Sequence, residues 1–168
     1  MIDAGYVRLM TRYNAWQNRQ LTEMLSGMDD AALRVERGAF FGSIMGTLNH
    51  ILWADMLWMN RFDPRIPAPE EGSDHLKVTP TFAVWGAERF RLDGAFRMWA
   101  DTLRSIDLKE QIAWYSVTAE SDMQASKEMC VIHLLNHQTH HRGQVHAMMT
   151  AAGLKAPVTD LVFLPEDA

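Results

Sequence analysis

The sequence has little of what marks secreted, membrane-spanning or nucleic-acid-binding proteins. It contains a single cysteine, Cys130, which excludes an intramolecular disulfide and is typical of a reducing compartment. No stretch approaches the ~20 apolar residues of a membrane span. The first ten residues include an Asp and an Arg where a signal peptide needs an apolar run. We therefore predict a cytoplasmic protein without a membrane partner.

Clustered positive charge is also missing. Sixteen Lys and Arg residues stand against 21 Asp and Glu residues, which gives a net charge of −5, and no basic block interrupts the chain. This pattern argues against a nucleic-acid partner. A length of 168 residues and an apolar content of 48% are typical of a globular chain with its own core. We predict one domain spanning residues 1–168.

Strand-like segments are few, and helical periodicity dominates the chain. Four long segments carry apolar residues at helical spacing: about Asp3 to Ser26, Ser43 to about Phe62, a third beginning at Thr79, and about Ser126 to Gly153. Thr79 is the predicted N-cap of the third, with Pro80 at the first helical position. Residues 111–117 have strand-like composition and a turn follows, so a small hairpin can precede the last helix. The pattern predicts an all-α protein, a four-helix bundle.

Histidine is concentrated in the last predicted helix, which carries five of the seven histidines of the chain. Viewed along the helix axis, one sector about 100° wide holds Cys130, His133, His137, His140, His141, Gln144 and Met148. Histidines at i and i+4 project onto one face and can share a metal ion. His137 with His141 lies nearest the apolar face, whereas His133 with His137 has equal spacing but would aim further from the core. A hydrogen-bonded histidine core without metal is the alternative.

A catalytic metal usually takes three protein ligands, so a third must come from another helix. His50 in the second helix is the natural choice, because Gly46, Thr47 and Ala54 leave room on its side. Neighbouring polar side chains would then support the ligands from outside; the candidates are His133, His140, Gln144 and Asp55. His75, in the acidic loop of residues 63–79, is expected to be exposed to solvent.

Three stretches together resemble the DinB/YfiT-like family of small damage-inducible proteins. They are YNAWQNRQL (Tyr13 to Leu21), GTLNHILWAD (Gly46 to Asp55) and LLNHQTHHRGQV (Leu134 to Val145). The likeness runs in order over almost the whole chain. It implies a four-helix bundle of up-down-down-up type, with a divalent ion held by three histidines. Carried onto this sequence, those are His50, His137 and His141.

The resemblance also implies a choice of functions. The family includes thiol-dependent S-transferases and a thiol-dependent isomerase, and many of its members are homodimers. We therefore expect a metal-dependent enzyme that uses zinc or nickel to activate a low-molecular-weight thiol or water for attack on a small-molecule substrate, with S-transferase-like chemistry favoured. The alternatives are a metal-dependent hydrolase and a non-enzymatic, metal-stabilised dimeric stress-response protein.

Overall fold

Helices make up most of the computed structural model, which describes all residues from 1 to 168. The helices are α1 (Ala4–Leu25), the short α2 (Asp30–Leu33), α3 (Ile44–Phe62), α4 (Phe82–Thr102) and α5 (Lys127–Ala151). Two strands, β1 (Gln111–Ser116) and β2 (Ser121–Ser126), form an antiparallel pair between α4 and α5. The predicted hairpin is therefore confirmed. The all-α description was slightly wrong, because the hairpin is part of the fold and buries Ile112 in the core.

Side-chain caps set the ends of the long helices. Ser43 accepts a hydrogen bond from the Gly46 N–H at the start of α3, and Ser126 does the same for Met129 at the start of α5. Gly153, with φ of +72°, ends α5 and lets the Leu154 N–H bond to the Met149 carbonyl.

The predicted start of the third long helix was wrong by two residues. Helix α4 begins after Thr81, whose side chain accepts a hydrogen bond from the Val84 N–H. Thr79 cannot cap it, because its N–H and Oγ1 both donate to Oδ1 of Asn49, at 3.0 and 2.8 Å. A tertiary contact between the loop and α3 thus takes the residue that local sequence rules assign to the cap.

The long helices pack in pairs with definite directions. Helix α1 contacts α4 and α5, and α3 contacts the same two helices. Ala4 bonds to Ser105 while Asn18 bonds to Asp93, so α1 and α4 run antiparallel.

The remaining pairs follow from contacts at both ends. Helices α3 and α5 are antiparallel, because His50 meets His137 and Trp58 meets His133. Helices α3 and α4 are parallel, because the Trp85 indole donates to the Leu48 carbonyl at one end and Phe62 stacks on Trp99 at the other. None of these helices is long and apolar enough to span a membrane.

A buried polar network crosses the apolar core and joins all four long helices. Arg89 on α4 is 1% exposed, and its guanidinium binds Asp55 on α3 at 2.5 Å and Asp93 at 2.8 Å. Gln138 on α5 donates to Asp55 at 2.8 Å. From α1, Asn14 donates to Asp93 and accepts a hydrogen bond from Arg142 on α5.

Candidate metal centre

Helices α3 and α5 bring three histidines together where they cross. His50 comes from α3, and His137 and His141 come from one face of α5, one turn apart. One ring nitrogen of each lies within 4.8 Å of the others. These are the three residues that the sequence selected, and in this structure they form a cluster that could hold a metal ion.

Hydrogen bonds around the cluster occupy the Nδ1 atoms of His50 and His141. Nδ1 of His50 lies 2.8 Å from Nδ1 of His75, and its Nε2 lies 3.0 Å from Nε2 of His137. Nδ1 of His141 lies 2.8 Å from the side-chain oxygen of Gln144. Since an amide oxygen only accepts, that ring nitrogen carries the proton and leaves Nε2 of His141 with a free lone pair.

Burial keeps these imidazoles in the form that binds metals. It lowers the pKa of His50 to about 3 and that of His137 to about 4, and the neighbouring rings oppose protonation further. Burial also lowers the pKa of His141, which the hydrogen bond to Gln144 partly offsets. At neutral pH the three rings are therefore uncharged, as a metal ligand must be.

The donor set fits a divalent transition-metal ion. Imidazole nitrogens suit zinc and nickel, among other first-row metals. Metal–nitrogen bonds of ~2.0–2.1 Å place two ligands of one ion at most about 4.2 Å apart. Ring nitrogens within 4.8 Å of one another therefore need only small rotations of the rings to share an ion. Nδ1 of His137 is buried without a hydrogen-bond partner, so Nε2 is the only atom of this ring with a polar neighbour.

Comparison with known proteins shows the family of this chain. Residues 1–168 match the sequence model of the DinB family. The chain belongs to the DinB family. It is 25% identical over 154 residues to Protein DinB of Bacillus subtilis (strain 168), covering 88% of this chain and 87% of that protein.

A DinB-like protein from Bacillus cereus ATCC 10987, known from its crystal structure, shares the fold. Its TM-score is 0.61 at 21% sequence identity, with 85% of this chain and 90% of that chain covered. The resemblance seen in the three sequence stretches is thus confirmed at the level of family and fold.

Two residues of the site were missed from the sequence. His75 was expected to be exposed, but it is half-buried against His50. The ring of Phe41, just before α3, lies 4.0 Å from His50 and 5.1 Å from His141 between centroids. Both residues lie in loops, where no regular spacing of residues predicts the direction of a side chain. The only signal was their closeness in sequence to α3 and to the acidic loop.

The other polar residues named from the sequence lie at different distances from the cluster. Gln144 contacts both His141 and His140, the latter at 3.3 Å. His133 packs against Trp58, with centroids 5.2 Å apart, and is 5.9 Å from the ring of His137. Asp55 is bound by Arg89 and Gln138 within the polar network. Of this group, Gln144 is the one that touches a member of the cluster through a hydrogen bond.

Cavity size does not locate this DinB-family site. Two cavities of about 560 and 680 Å³ lie along α1 and α4, and no histidine lines either of them. Neither contains a comparable set of ligating side chains. The convergence of imidazole nitrogens, and not the volume of open space, identifies the candidate metal centre.

Proposed function

We propose that this DinB-family chain is a metal-dependent enzyme in which His50, His137 and His141 hold one divalent ion, zinc or nickel. The observation that carries the proposal is the convergence of three uncharged imidazoles from two antiparallel helices. A bound ion of this kind lowers the pKa of a coordinated thiol or water and so supplies a nucleophile near neutral pH. Three protein ligands leave a coordination position on the ion open for that thiol or water.

The surrounding residues orient the three rings. Gln144 fixes the tautomer of His141, and His75 occupies the outward nitrogen of His50. Outer partners of this kind hold a ligand ring in place and raise its basicity. The ring of Phe41 packs against both His50 and His141 and so limits the movement of these two rings.

Thiol transfer is the favoured chemistry, and the nucleophilic thiol comes from a separate small molecule. Cys130 is the only cysteine of the chain. It is 2% exposed, and burial raises the pKa of its thiol, so it is a poor nucleophile. A low-molecular-weight thiol would bring the sulfur to the ion, and an electrophilic small molecule would accept it. The resemblance to thiol-dependent S-transferases supports this reading.

The arrangement of the helices is part of the same proposal. We infer that the four long helices form an up-down-down-up bundle. Three packing directions support it: α1 against α4 and α3 against α5 run antiparallel, and α3 runs parallel to α4. In such a bundle the ligand-bearing helices α3 and α5 are antiparallel neighbours in direct contact.

The test is turnover by protein of defined metal content. Chelator-treated protein is reloaded with zinc or nickel and assayed against a panel of small electrophiles, with and without several cellular thiols. Turnover that requires both metal and thiol supports the transferase. Turnover with metal alone would make water the nucleophile and the protein a hydrolase. Tight metal binding without turnover on any substrate would support a non-enzymatic, metal-stabilised protein.

Two variants serve as controls for this assay. His137→Ala removes a proposed ligand and should abolish metal-dependent turnover. Asn136→Ala changes the neighbouring exposed residue on α5, which makes no side-chain hydrogen bond, and should leave turnover unchanged. If His137→Ala turns over as fast as Asn136→Ala and the parent, the assignment of His137 is refuted.

A further inference from the structure

A second feature of α5 lies on the side facing α1, away from the three histidines. A cavity of about 250 Å³ is enclosed by α1, α5 and the segment after α5. Tyr13 and Gln17 line it from α1, Arg142, Gly143 and His146 from α5, and Thr159 from the following segment. The metal-site proposal makes no use of this cavity.

Arg142 is the unusual member of the cavity wall. The residue is only 7% exposed, yet its guanidinium makes one hydrogen bond, from Nη1 to the side-chain oxygen of Asn14. Nε and Nη2 donate to no protein acceptor, and neither is sealed from solvent. A buried guanidinium normally has its donors satisfied, because leaving them unpaired is costly. These two donors are adjacent and form the fork that binds an oxyanion in a bidentate way.

The other polar groups of the cavity favour an acceptor-rich ligand. The Tyr13 hydroxyl donates to the Thr159 carbonyl, so this acceptor of the wall is already occupied, and Gln17 donates to the neighbouring Val158 carbonyl. The ring of His146 makes no hydrogen bond in the structure and can donate one. The groups of the wall that remain open are the Nε and Nη2 donors of Arg142 and the ring of His146, with the side-chain oxygen of Gln17 as an acceptor without a partner.

The charges around Arg142 leave it without a direct counter-ion. Asp55 and Asp93 both bind Arg89, and Arg142 reaches Asp93 only through Asn14. Asp160 lies near Tyr13 but is exposed to solvent, where its charge is screened. A guanidinium stays protonated in proteins, so the cavity has a fixed positive charge on its wall.

We propose that Arg142 forms a binding site in this cavity for a small oxyanion, the carboxylate or phosphate group of a small molecule. The fork of Nε and Nη2 binds two of its oxygens, and His146 can donate to a third. This site is independent of the metal centre, although Arg142 directly follows His141 on α5.

The proposal is tested by titrating the full-length protein with inorganic phosphate and, separately, with acetate. Ionic strength is held constant with chloride, and the Nε–H signal of Arg142 is followed by NMR. The signal is assigned from its loss in Arg142→Gln. Because phosphate also binds metal ions, the titrations are repeated on chelator-treated protein and on His137→Ala.

A matched pair of glycine variants separates this cavity from other surfaces. A side chain at helical Gly143 would meet no heavy atom within 4 Å at its Cβ, and the same holds for Gly94 on α4. Gly143→Phe fills the cavity and keeps Arg142, whereas Gly94→Phe makes the same change elsewhere. If Gly143→Phe keeps the anion away from Arg142, the loss of this charge-assisted bidentate contact should weaken anion binding by about tenfold or more.

We expect a saturable shift of the Arg142 signal with at least one anion, weakened by Gly143→Phe and unchanged by Gly94→Phe. Binding of acetate alone would identify a carboxylate ligand, and binding of phosphate alone a phosphorylated one. The proposal is overturned if neither anion gives a saturable shift or if Gly143→Phe binds as well as the parent. It is equally overturned if binding disappears with the metal, because the anion then sits at the histidines. Failure of the metal-dependent turnover assay would leave this result unaffected.

Discussion

Gln144 lies one helical turn beyond His141 on α5, and its side-chain oxygen is 2.8 Å from Nδ1 of that ring. The partner that sets the tautomer of this proposed ligand is therefore part of the same helix. The hydrogen bond between Gln144 and His141 does not depend on any other helix or loop, because residues three apart on one helix are neighbours. His50 differs in this respect, since its partner His75 comes from a loop 25 residues away.

Replacing Gln144 by alanine should weaken metal binding without abolishing it. Loss of an outer hydrogen bond to a ligating histidine typically costs 10–100-fold in affinity, and we expect a loss of about that size. Isothermal titration of chelator-treated protein with zinc measures it. Gln124→Ala, at an exposed position of β2, is the control. An unchanged affinity in Gln144→Ala would show that this hydrogen bond does not support the ion.

His137→Ala should lose the ion and keep the fold. The ring is one of three donors in the cluster, and two imidazoles rarely hold a divalent ion alone. Metal analysis of protein purified without nickel resin, together with circular dichroism, checks both parts of this prediction. A variant that retains the metal content of the parent would place the ion elsewhere.

Asp55→Ala should strongly destabilise the protein. It removes one partner of an ion pair in which Asp55 is 0% and Arg89 1% exposed, and the orphaned guanidinium keeps only Asp93 as a carboxylate partner. Breaking a buried pair in this way costs about 3–5 kcal/mol. The measurement is the free energy of unfolding in urea.

The control for this prediction lies on α4, the helix that carries Arg89. Glu88 and Arg91 form an exposed ion pair on α4, and Glu88→Ala should cost no more than about 1 kcal/mol. Equal costs for Glu88→Ala and Asp55→Ala would mean that the buried network adds nothing beyond surface charge.

Glu128 should make stability depend on pH. Hydrogen bonds from Lys109 at 2.9 Å and from the Ile2 N–H at 2.6 Å lower the pKa of Glu128 to about 2 in the folded protein. An unfolded Glu titrates near ~4.3. Because the folded value is the lower one, the stabilisation is fully present above ~4.3 and is lost as the pH falls towards 2.

The matching experiment compares unfolding in urea at pH 7 and pH 3. Glu128→Gln should be less stable than the parent at pH 7, and this difference should shrink at pH 3. Glu71→Gln, at an exposed position without side-chain hydrogen bonds, should match the parent at both pH values. A difference for Glu128→Gln that stays constant with pH would contradict the assigned role of its charge.

Asn49→Ala should loosen the loop that carries His75. The Asn49 side chain donates to the Leu76 carbonyl at 3.1 Å and accepts two hydrogen bonds from Thr79. Leaving these buried groups without a partner costs about 1–3 kcal/mol. Hydrogen exchange should accelerate in residues 74–79, with the central turns of α4 unaffected. Unchanged exchange there would mean that the loop is held by other contacts.

Periodicity explains what the sequence could predict. His50, His137 and His141 lie on helices, where a spacing of 3.6 residues fixes which side chains share a face. Tertiary contacts decide the rest: Thr79 was assigned to a cap because local rules cannot foresee its bond to Asn49. His75 and Phe41 lie in loops: His75 was wrongly expected to be exposed, and Phe41 was not singled out.

The buried ion network could be predicted from the sequence only in part. Arg89 and Asp93 fall on the same face of α4 as Trp85, Leu92 and Phe96, which is visible from spacing. Two charged residues within an apolar face indicate a buried pair. Their partner Asp55 belongs to another helix, and no periodicity connects it to them.

The distance along the chain between the two halves of the metal centre has a consequence for how the protein is made. His50 and His137 are separated by 87 residues, and α5 is the last long helix to be synthesised. Closing so long a loop is entropically costly and is repaid only when α5 packs against α3. A nascent chain still lacking α5 has only one of the three proposed ligands, too few to retain an ion. An ion held by the three histidines could therefore be bound only after synthesis has passed His141.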